Sequence, residues 1–351
     1  MAEVVKGPAP YVYVCTRMRI RMSKLLPRED YIRLLNMGIP EITRFIEETE
    51  YKREIDELSP SFQGIDLIEL GLSWNMAKEY QNIQKITPGI LKQFTQAYLH
   101  RWDIQNILTI LRGKMQGVKP GRIKEILIPA GEFDRAFLDR LIAEDSPERI
   151  IASLKGWRMF KILEKEYPKA NEEGSFSRME NELYKQFYAD LLLNAGSGLK
   201  GSKSFREYIL LDIDITNIRN MFRLRADQLE EDAEDMAIPG ATFPVKEFQR
   251  LIGIENNDEF IDALKARIRI RTLLEMLEEL RGKRSTREIE IALIRIQLAQ
   301  MEKMAKLHPF SIHPILAYLE RKKYEVFNLR AIARGKESNL PADRIRGYLV
   351  I

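Results

Sequence analysis

The chain has 351 residues, with 56 Lys and Arg against 52 Asp and Glu for a formal charge of +4, so near electrical balance forces neither a nucleic-acid nor a membrane-surface partner. Hydrophobic residues make up 45%, with 19 Gly and 15 Pro, which excludes a collagen-like or largely disordered chain. One cysteine, Cys15, closes no intrachain disulfide and no Cys/His cluster suggests zinc, so a reducing compartment such as the cytoplasm is expected.

From the amino terminus, residues 1–10 are expected to form a leader, with Glu3 and Lys6 standing where a signal peptide needs its basic start and unbroken apolar run. No apolar stretch reaches the roughly 18 residues of a membrane-spanning helix, so no direct span is expected. Ile42, Phe45 and Ile46, then Leu138, Leu141 and Ile142, then Leu273, Leu274 and Leu277 follow i, i+3, i+4 spacing amid charges. The predicted fold class is all-α. Ser59-Pro60, Thr87-Pro88 and Ser146-Pro147 are predicted helix starts, the hydroxyl capping and the proline opening the first turn. Arg17 to Arg21 and Arg267 to Arg271 alternate Arg with apolar residues at a strand's period. Their flanks are helix formers, and both are predicted helical.

The most informative feature is an internal repeat. Asp103-Ile104-Gln105-Asn106-Ile107 leads to Arg112 and Lys114; Asp214-Ile215-Thr216-Asn217-Ile218 leads to Arg223 and Arg225; Glu325-Val326-Phe327-Asn328-Leu329 leads to Arg334 and Lys336. The asparagines at 106, 217 and 328 are 111 residues apart, and an upstream acid recurs as Glu69, Glu180 and Glu290. Pro129 to Phe133 with Leu141 and Leu154 matches Pro239 to Phe243 with Leu251 and Leu264 at an offset of 110. Solenoid units run only about 20–50 residues, so each copy should be a small helical domain with its own core. The predicted domains are 11–128, 129–238 and 239–351, three similar units in a pseudo-threefold funnel or socket.

Within the repeated helix, Asp103, Asn106, Ile107, Ile110 and Lys114 share one face and Arg112 points away. Two roles are open for the repeated charges. Glu69, Glu180 and Glu290 would pair with Arg112, Arg223 and Arg334 inside each copy, or the basic ends Arg112/Lys114, Arg223/Arg225 and Arg334/Lys336 would face a shared partner. Gly196 to Ser204 is rich in Gly, Ser and Lys, but Ser202 separates the last Gly from Lys203 and the preceding leucines look helical, so an interhelical loop is expected. His100, His308 and His313 lack a zinc frame, the last two reading as turn residues, and Cys15 reads as structural. Glu47, Glu48, Glu50 and Glu54 read as a solvated helix face, and Glu230 to Asp235 as a solvated linker end. No catalytic residue, cofactor, metal or small-molecule ligand is expected, and the chain is predicted not to be an enzyme. Two rivals remain: a helical-repeat nucleic-acid binder or scaffold using Arg17, Arg19, Arg21, Arg267, Arg269 and Arg271, which near-neutral charge disfavours, and a helical hydrolase.

Residues 11 to 26, opening Tyr11-Val12-Tyr13-Val14-Cys15, carry a resemblance, as do the Asp-Ile-x-Asn-Ile element before Leu111-Arg112-Gly113-Lys114 and the close from Lys323 to Lys336 with Leu340 to Arg346. On these residues the chain resembles the C subunits of archaeal-type (A-type) ATP synthases, relatives of the d subunits of V-type ATPases, from about residue 11 to the end. The third copy differs in carrying Glu325 for Asp and Ala333 before its arginine. The resemblance implies an all-helical funnel of three similar domains that sits on the membrane rotor ring and receives the foot of the central shaft. Such a non-catalytic central-stalk subunit would pass torque between proton or sodium flow and ATP chemistry carried by other subunits. Its partners would be the shaft subunits and the rotor ring, with no nucleic acid, and its place would be the cytoplasmic face of the cell membrane, peripherally through the ring.

Overall fold

The computed structural model describes residues 9–196, 198, 201–227, 233–279, 281 and 285–351. All regular structure among them is helical, as predicted, and no strand occurs. Two compact units form, residues 1–156 with 304–351 and residues 157–303.

The first unit contains α1 (Ala9–Met22), α2 (Arg28–Leu34), α3 (Ile39–Glu47), α4 (Lys52–Leu58), α5 (Gly64–Ile86), α6 (Gly89–Leu99), α7 (Arg101–Met115), α8 (Pro120–Ile126), α9 (Arg135–Ala143) and α10 (Pro147–Ser153). The second contains α11 (Phe160–Glu173), α12 (Ser177–Ala195), α13 (Ser202–Asp227), α14 (Ala233–Met236), α15 (Val245–Ile252), α16 (Asn257–Lys265), α17 (Arg271–Glu279) and most of α18 (Thr286–Leu307). The chain then returns to the first unit as α19 (His313–Glu337) and α20 (Ala342–Arg346).

In the first unit α19 lies against α5 and α1 and is buried nearly all round, which makes it a core helix despite Glu320, Lys322, Glu325 and Asn328 along it. Tyr51, Tyr80, Phe94 and Tyr98 fill the space around it. In the second unit α12 packs on α11 and α13, and α13 on α15, over Phe187, Phe205, Tyr208 and Phe248.

Local signals explain some helix ends and mislead at others. Ser146 caps α10 as expected, its Oγ accepting the Arg149 N–H at 3.4 Å with Pro147 in the first turn. A helix also starts at Thr87-Pro88, α6 opening at Gly89, but Thr87 does not cap it: its Oγ1 donates back to Ile83 C=O at 2.5 Å, closing α5, and Ser59 only ends α4. A hydroxyl can serve either neighbour, and Thr87 turns back to Ile83 C=O, which also accepts the Thr87 N–H at 3.0 Å. Arg17 to Arg21 lies in α1, as predicted. Arg267 to Ile270 is not helical; α16 ends at Lys265 and only Arg271 opens α17. The two arginines between are exposed and the two isoleucines half-buried, so the period of two reports a non-helical connection with one side to solvent. Glu54 also departs from expectation. It is buried, accepting from Asn75 Nδ2 at 2.9 Å beside Lys78 Nζ at 3.2 Å. Ser197, Leu199 and Lys200 of the Gly/Ser/Lys loop, residues 230–232 of the acidic run and residues 1–8 of the leader lie outside the described residues.

Cys15 is fully buried with Sγ 3.5 Å from Ser311 C=O, and burial pushes its thiol up to about 11, in keeping with a structural role. His313, the first residue of α19, is also buried, and its Nε2 meets no partner among the described residues. Burial, with His308 alongside at 5.6 Å between rings, lowers its pKa from 6.5 to about 4. The folded state then binds fewer protons than the unfolded one, so stability is full above pH 6.5 and falls as the pH drops towards 4. Urea midpoints across that window are expected to fall, by up to about 3 kcal/mol, and His313→Gln to flatten the dependence.

Candidate functional site

The three repeated asparagines make one and the same device. Asn106 on α7 donates to Ile128 C=O at 2.7 Å and accepts from Ile128 N–H at 2.9 Å. Asn217 on α13 holds Ile238 at 2.8 and 2.9 Å, and Asn328 on α19 holds Val350 at 2.9 and 2.8 Å. Each carboxamide bonds both backbone groups of one residue 21 or 22 positions downstream, in chain outside any helix. A side chain with one donor end and one acceptor end is what that task demands, and all three asparagines are buried.

One turn earlier the repeated acid ties down the loop beyond the clamp. Asp103 accepts from the N–H groups of Glu132 (2.8 Å) and Phe133 (3.0 Å), and Asp214 from the N–H and hydroxyl of Thr242 at 2.9 and 2.7 Å. Burial raises Asp214's pKa, against the two Thr242 bonds that favour its charged form. Gly131 is required here, because a Cβ on it would fall 2.2 Å from Asp103 Oδ1. The third acid, Glu325, reaches instead to the start of the chain: Oε2 accepts the Leu26 N–H at 2.7 Å, and Oε1 the Tyr51 hydroxyl at 2.6 Å and Lys322 Nζ at 2.9 Å. Leu26 lies just before α2 as Phe133 lies just before α9, so the acid of the last copy anchors the loop that opens the first helix pair of the first copy. Glu for Asp adds the methylene that reaches it.

The repeated cations divide into two roles. Lys114 donates to Glu144 C=O at 2.7 Å, just past α9, and Arg225 donates to the carbonyls of Ile252 (3.0 Å), Ile254 and Glu255 (3.3 Å) at the end of α15. Both terminate a helix of the following copy, where the last carbonyls and the dipole favour a cation. Lys336 is half-buried near the end of α19. Of the other three arginines, Arg334 meets Glu69 with Nη2 at 2.8 Å and Nε in closer contact, and Arg223 Nε meets Glu290. In both pairs the partners come from different copies, not from one copy as expected. Arg112 and Glu180 are half-buried. Arg223 is 49% exposed and Glu290 24%, so the pair lies in partly screened water. Arg223→Ala is expected to cost less than about 1 kcal/mol in urea unfolding.

Copies one and three share a further contact. A Cβ on Gly113 would lie 2.6 Å from Ile123 Cδ1, and one on Gly335 2.6 Å from Ile345 Cγ1, so each glycine lets a short helix press on the long one. The second copy inverts the sizes, with Leu224 and Ala233 at the matching positions, both buried. Gly117 and Asn339 then end α7 and α19 with positive φ, and Val118 and Leu340 donate back to Gly113 and Gly335, each at 2.8 Å.

The inner side of α19 is lined by charges that answer one another. Glu320 binds Lys323 Nζ at 2.8 Å, Arg101 Nη1 at 3.0 Å and the Tyr98 hydroxyl; burial alone would raise its pKa, but Lys323 and Arg101 overcome this and hold it at about 2. Lys322, 1% exposed, pairs with Glu325 and sits 3.8 Å from the centre of the Tyr51 ring. On the outer side runs an open groove of about 580 Å³ bounded by α19, α7 and α20. His100, Asp103 and Glu132 bring three metal-ligand-type atoms within 4.8 Å of one another, a group that spacing did not reveal because Glu132 is distant in sequence. Both Asp103 oxygens already hold the loop, and Asp214 repeats that bond where Leu211 replaces the histidine, so the group serves the fold.

Residues 14–348 match the family described as ATP synthase (C/AC39) subunit. The chain is 37% identical over 358 residues to the C subunit of an A-type ATP synthase from Methanosarcina acetivorans, covering 99% of this chain and 94% of that one. It is 37% identical to the counterpart from Methanococcoides burtonii, over 97% and 94% of the two chains, and 35% identical to that of Archaeoglobus fulgidus, over 98% and 97%. With a likeness this nearly complete, spanning all of the repeated positions from Glu69 to Lys336, the chain belongs to the C/AC39 family of ATP synthase subunits.

Proposed function

We propose that the chain is a non-catalytic central-stalk subunit of a rotary ATP synthase, a socket that couples the shaft to the membrane ion-translocating ring. The likeness over nearly the whole length to proteins named as the C subunit of A-type ATP synthases carries this reading. The repeated polar residues support it: the positions that recur are spent on internal clamps, loop anchors and helix ends within each unit rather than on a reacting centre. In this reading the copies 11–128, 129–238 and 239–351 are three similar helical domains of a funnel, facing the shaft on one side and the ring on the other. The chain is held on the cytoplasmic face of the membrane through the ring. No helix among the described residues is long and apolar enough to cross a membrane.

The test is purification of the tagged chain from detergent-solubilised native membranes. Shaft and ring subunits are expected in fixed ratio with it, and membranes depleted of the chain should keep nucleotide hydrolysis but lose its coupling to ion movement. Recovery of the chain without other rotary-ATPase subunits, or ATP turnover by the purified chain alone, would overturn the reading.

A further inference from the structure

The groove beside α19 has a composition that the fold alone does not explain. Lys323, Phe327, Arg330 and Arg334 line it at i, i+4, i+7 and i+11, a single stripe of the helix, and Trp102 and Tyr324 add aromatic surface. No Asp or Glu is among the lining residues. Lys323 and Arg334 are each answered from behind, by Glu320 and Glu69. Arg330 is different. It donates only to Ser73 Oγ at 2.5 Å, its Nε is buried without an acceptor, and no carboxylate pairs with it among the described residues. The guanidinium is half-buried, and Glu69, already bonded to Arg334, acts on it only through space; burial lowers its pKa despite that carboxylate. Phe327, one turn away in the middle of the stripe, is 46% exposed, a large apolar side chain left in water beside it.

Length and charge together select the occupant. Eleven residues of α-helix extend about 16 Å, which an inorganic anion reaching one cation does not match. An extended ligand that presents carboxylates to Arg330 and its neighbours, and an apolar side chain to Phe327 and Trp102, matches both. We propose that the groove binds the acidic face of an amphipathic α-helix from a partner protein, with a carboxylate paired to Arg330 and an apolar residue seated on Phe327. This rests on the reading of the chain as a rotary-ATPase subunit for where the partner comes from; the groove's chemistry does not depend on it.

Two measurements test the site. In the first, a synthetic helical peptide of Glu and Leu, with Glu on one face, is titrated against the full chain by fluorescence anisotropy. Saturable binding is expected, weakening with salt, falling at least tenfold in Phe327→Asp and in Arg330→Gln, and absent for the same peptide with Lys for Glu. Phe327 is exposed, so its variant should keep the parental unfolding midpoint, which separates lost binding from lost folding. In the second, a benzophenone side chain at position 327 is photolysed in the purified native complex and the attached peptide sequenced. A helical segment with Asp or Glu every three or four residues is expected. Equal binding of the acidic and basic peptides, or attachment to a basic segment, would overturn the inference while leaving the proposed function standing. A chain that binds the acidic peptide but co-purifies with no rotary-ATPase subunit would do the reverse.

Discussion

Asn217→Ala is expected to destabilise the second unit by roughly 2–5 kcal/mol, because it strands both the N–H and the C=O of Ile238 in a site where Asn217 is fully buried. Each stranded backbone group costs about 1–3 kcal/mol, and water entering the vacated space recovers part of it. Hydrogen exchange gives the local reading: the amide of Ile238 should lose protection before neighbouring helices do. Asn217→Asp keeps the acceptor but loses the donor and adds a buried charge, so at neutral pH it should be at least as damaging. The same substitution at Asn328 should act alike, whereas at Asn106 the loss should be smaller, because Ile128 C=O keeps the Ala130 N–H at 2.8 Å. A change of less than about 0.5 kcal/mol at all three positions would show the clamps to be dispensable.

That device is half visible in the sequence. The asparagines announce themselves by spacing, and their sharing a face with Asp103 marks the face as inward. What they hold cannot be read there, because the partners are backbone groups of Ile128, Ile238 and Val350, which carry no side-chain signal. The all-helical class is legible because apolar spacing is a local property of each segment. The partner of Arg223 is not, since Glu180 and Glu290 occupy equivalent positions in two copies and only tertiary placement chooses between them. Glu54 illustrates a related limit. Among Glu47, Glu48 and Glu50 it looks like one more solvated carboxylate, yet helical phase turns it inward to Asn75 and Lys78. At Arg267 to Ile270 the period of two is real but its assignment to helix is wrong, because flanking helix formers say nothing about where one helix stops.

Glu325→Leu should be the more damaging of the two substitutions with large effects, at roughly 3–5 kcal/mol, for it leaves an ammonium group buried without its counter-charge. Lys322 is 1% exposed, and Glu325 is the carboxylate bonded to it, while the Tyr51 ring supplies only a partial substitute at 3.8 Å. The substitution also releases the Tyr51 hydroxyl and the Leu26 N–H, both donors to the same carboxylate, so the start of the chain should lose hydrogen-exchange protection along with α19. Lys322→Met alone removes the cation but leaves a buried carboxylate still satisfied by two donors, and should cost less. Combining the two replaces the ion pair by apolar groups of similar volume, which often restores or even raises stability. The double variant is therefore expected to be more stable than Glu325→Leu alone, with a favourable coupling of about 2 kcal/mol or more in urea unfolding. If instead the two losses simply add, the stranded charge is not what makes Glu325 necessary. The loop anchor at Leu26 would then carry the effect, and Glu325→Gln, which keeps an acceptor for that N–H, should recover most of it.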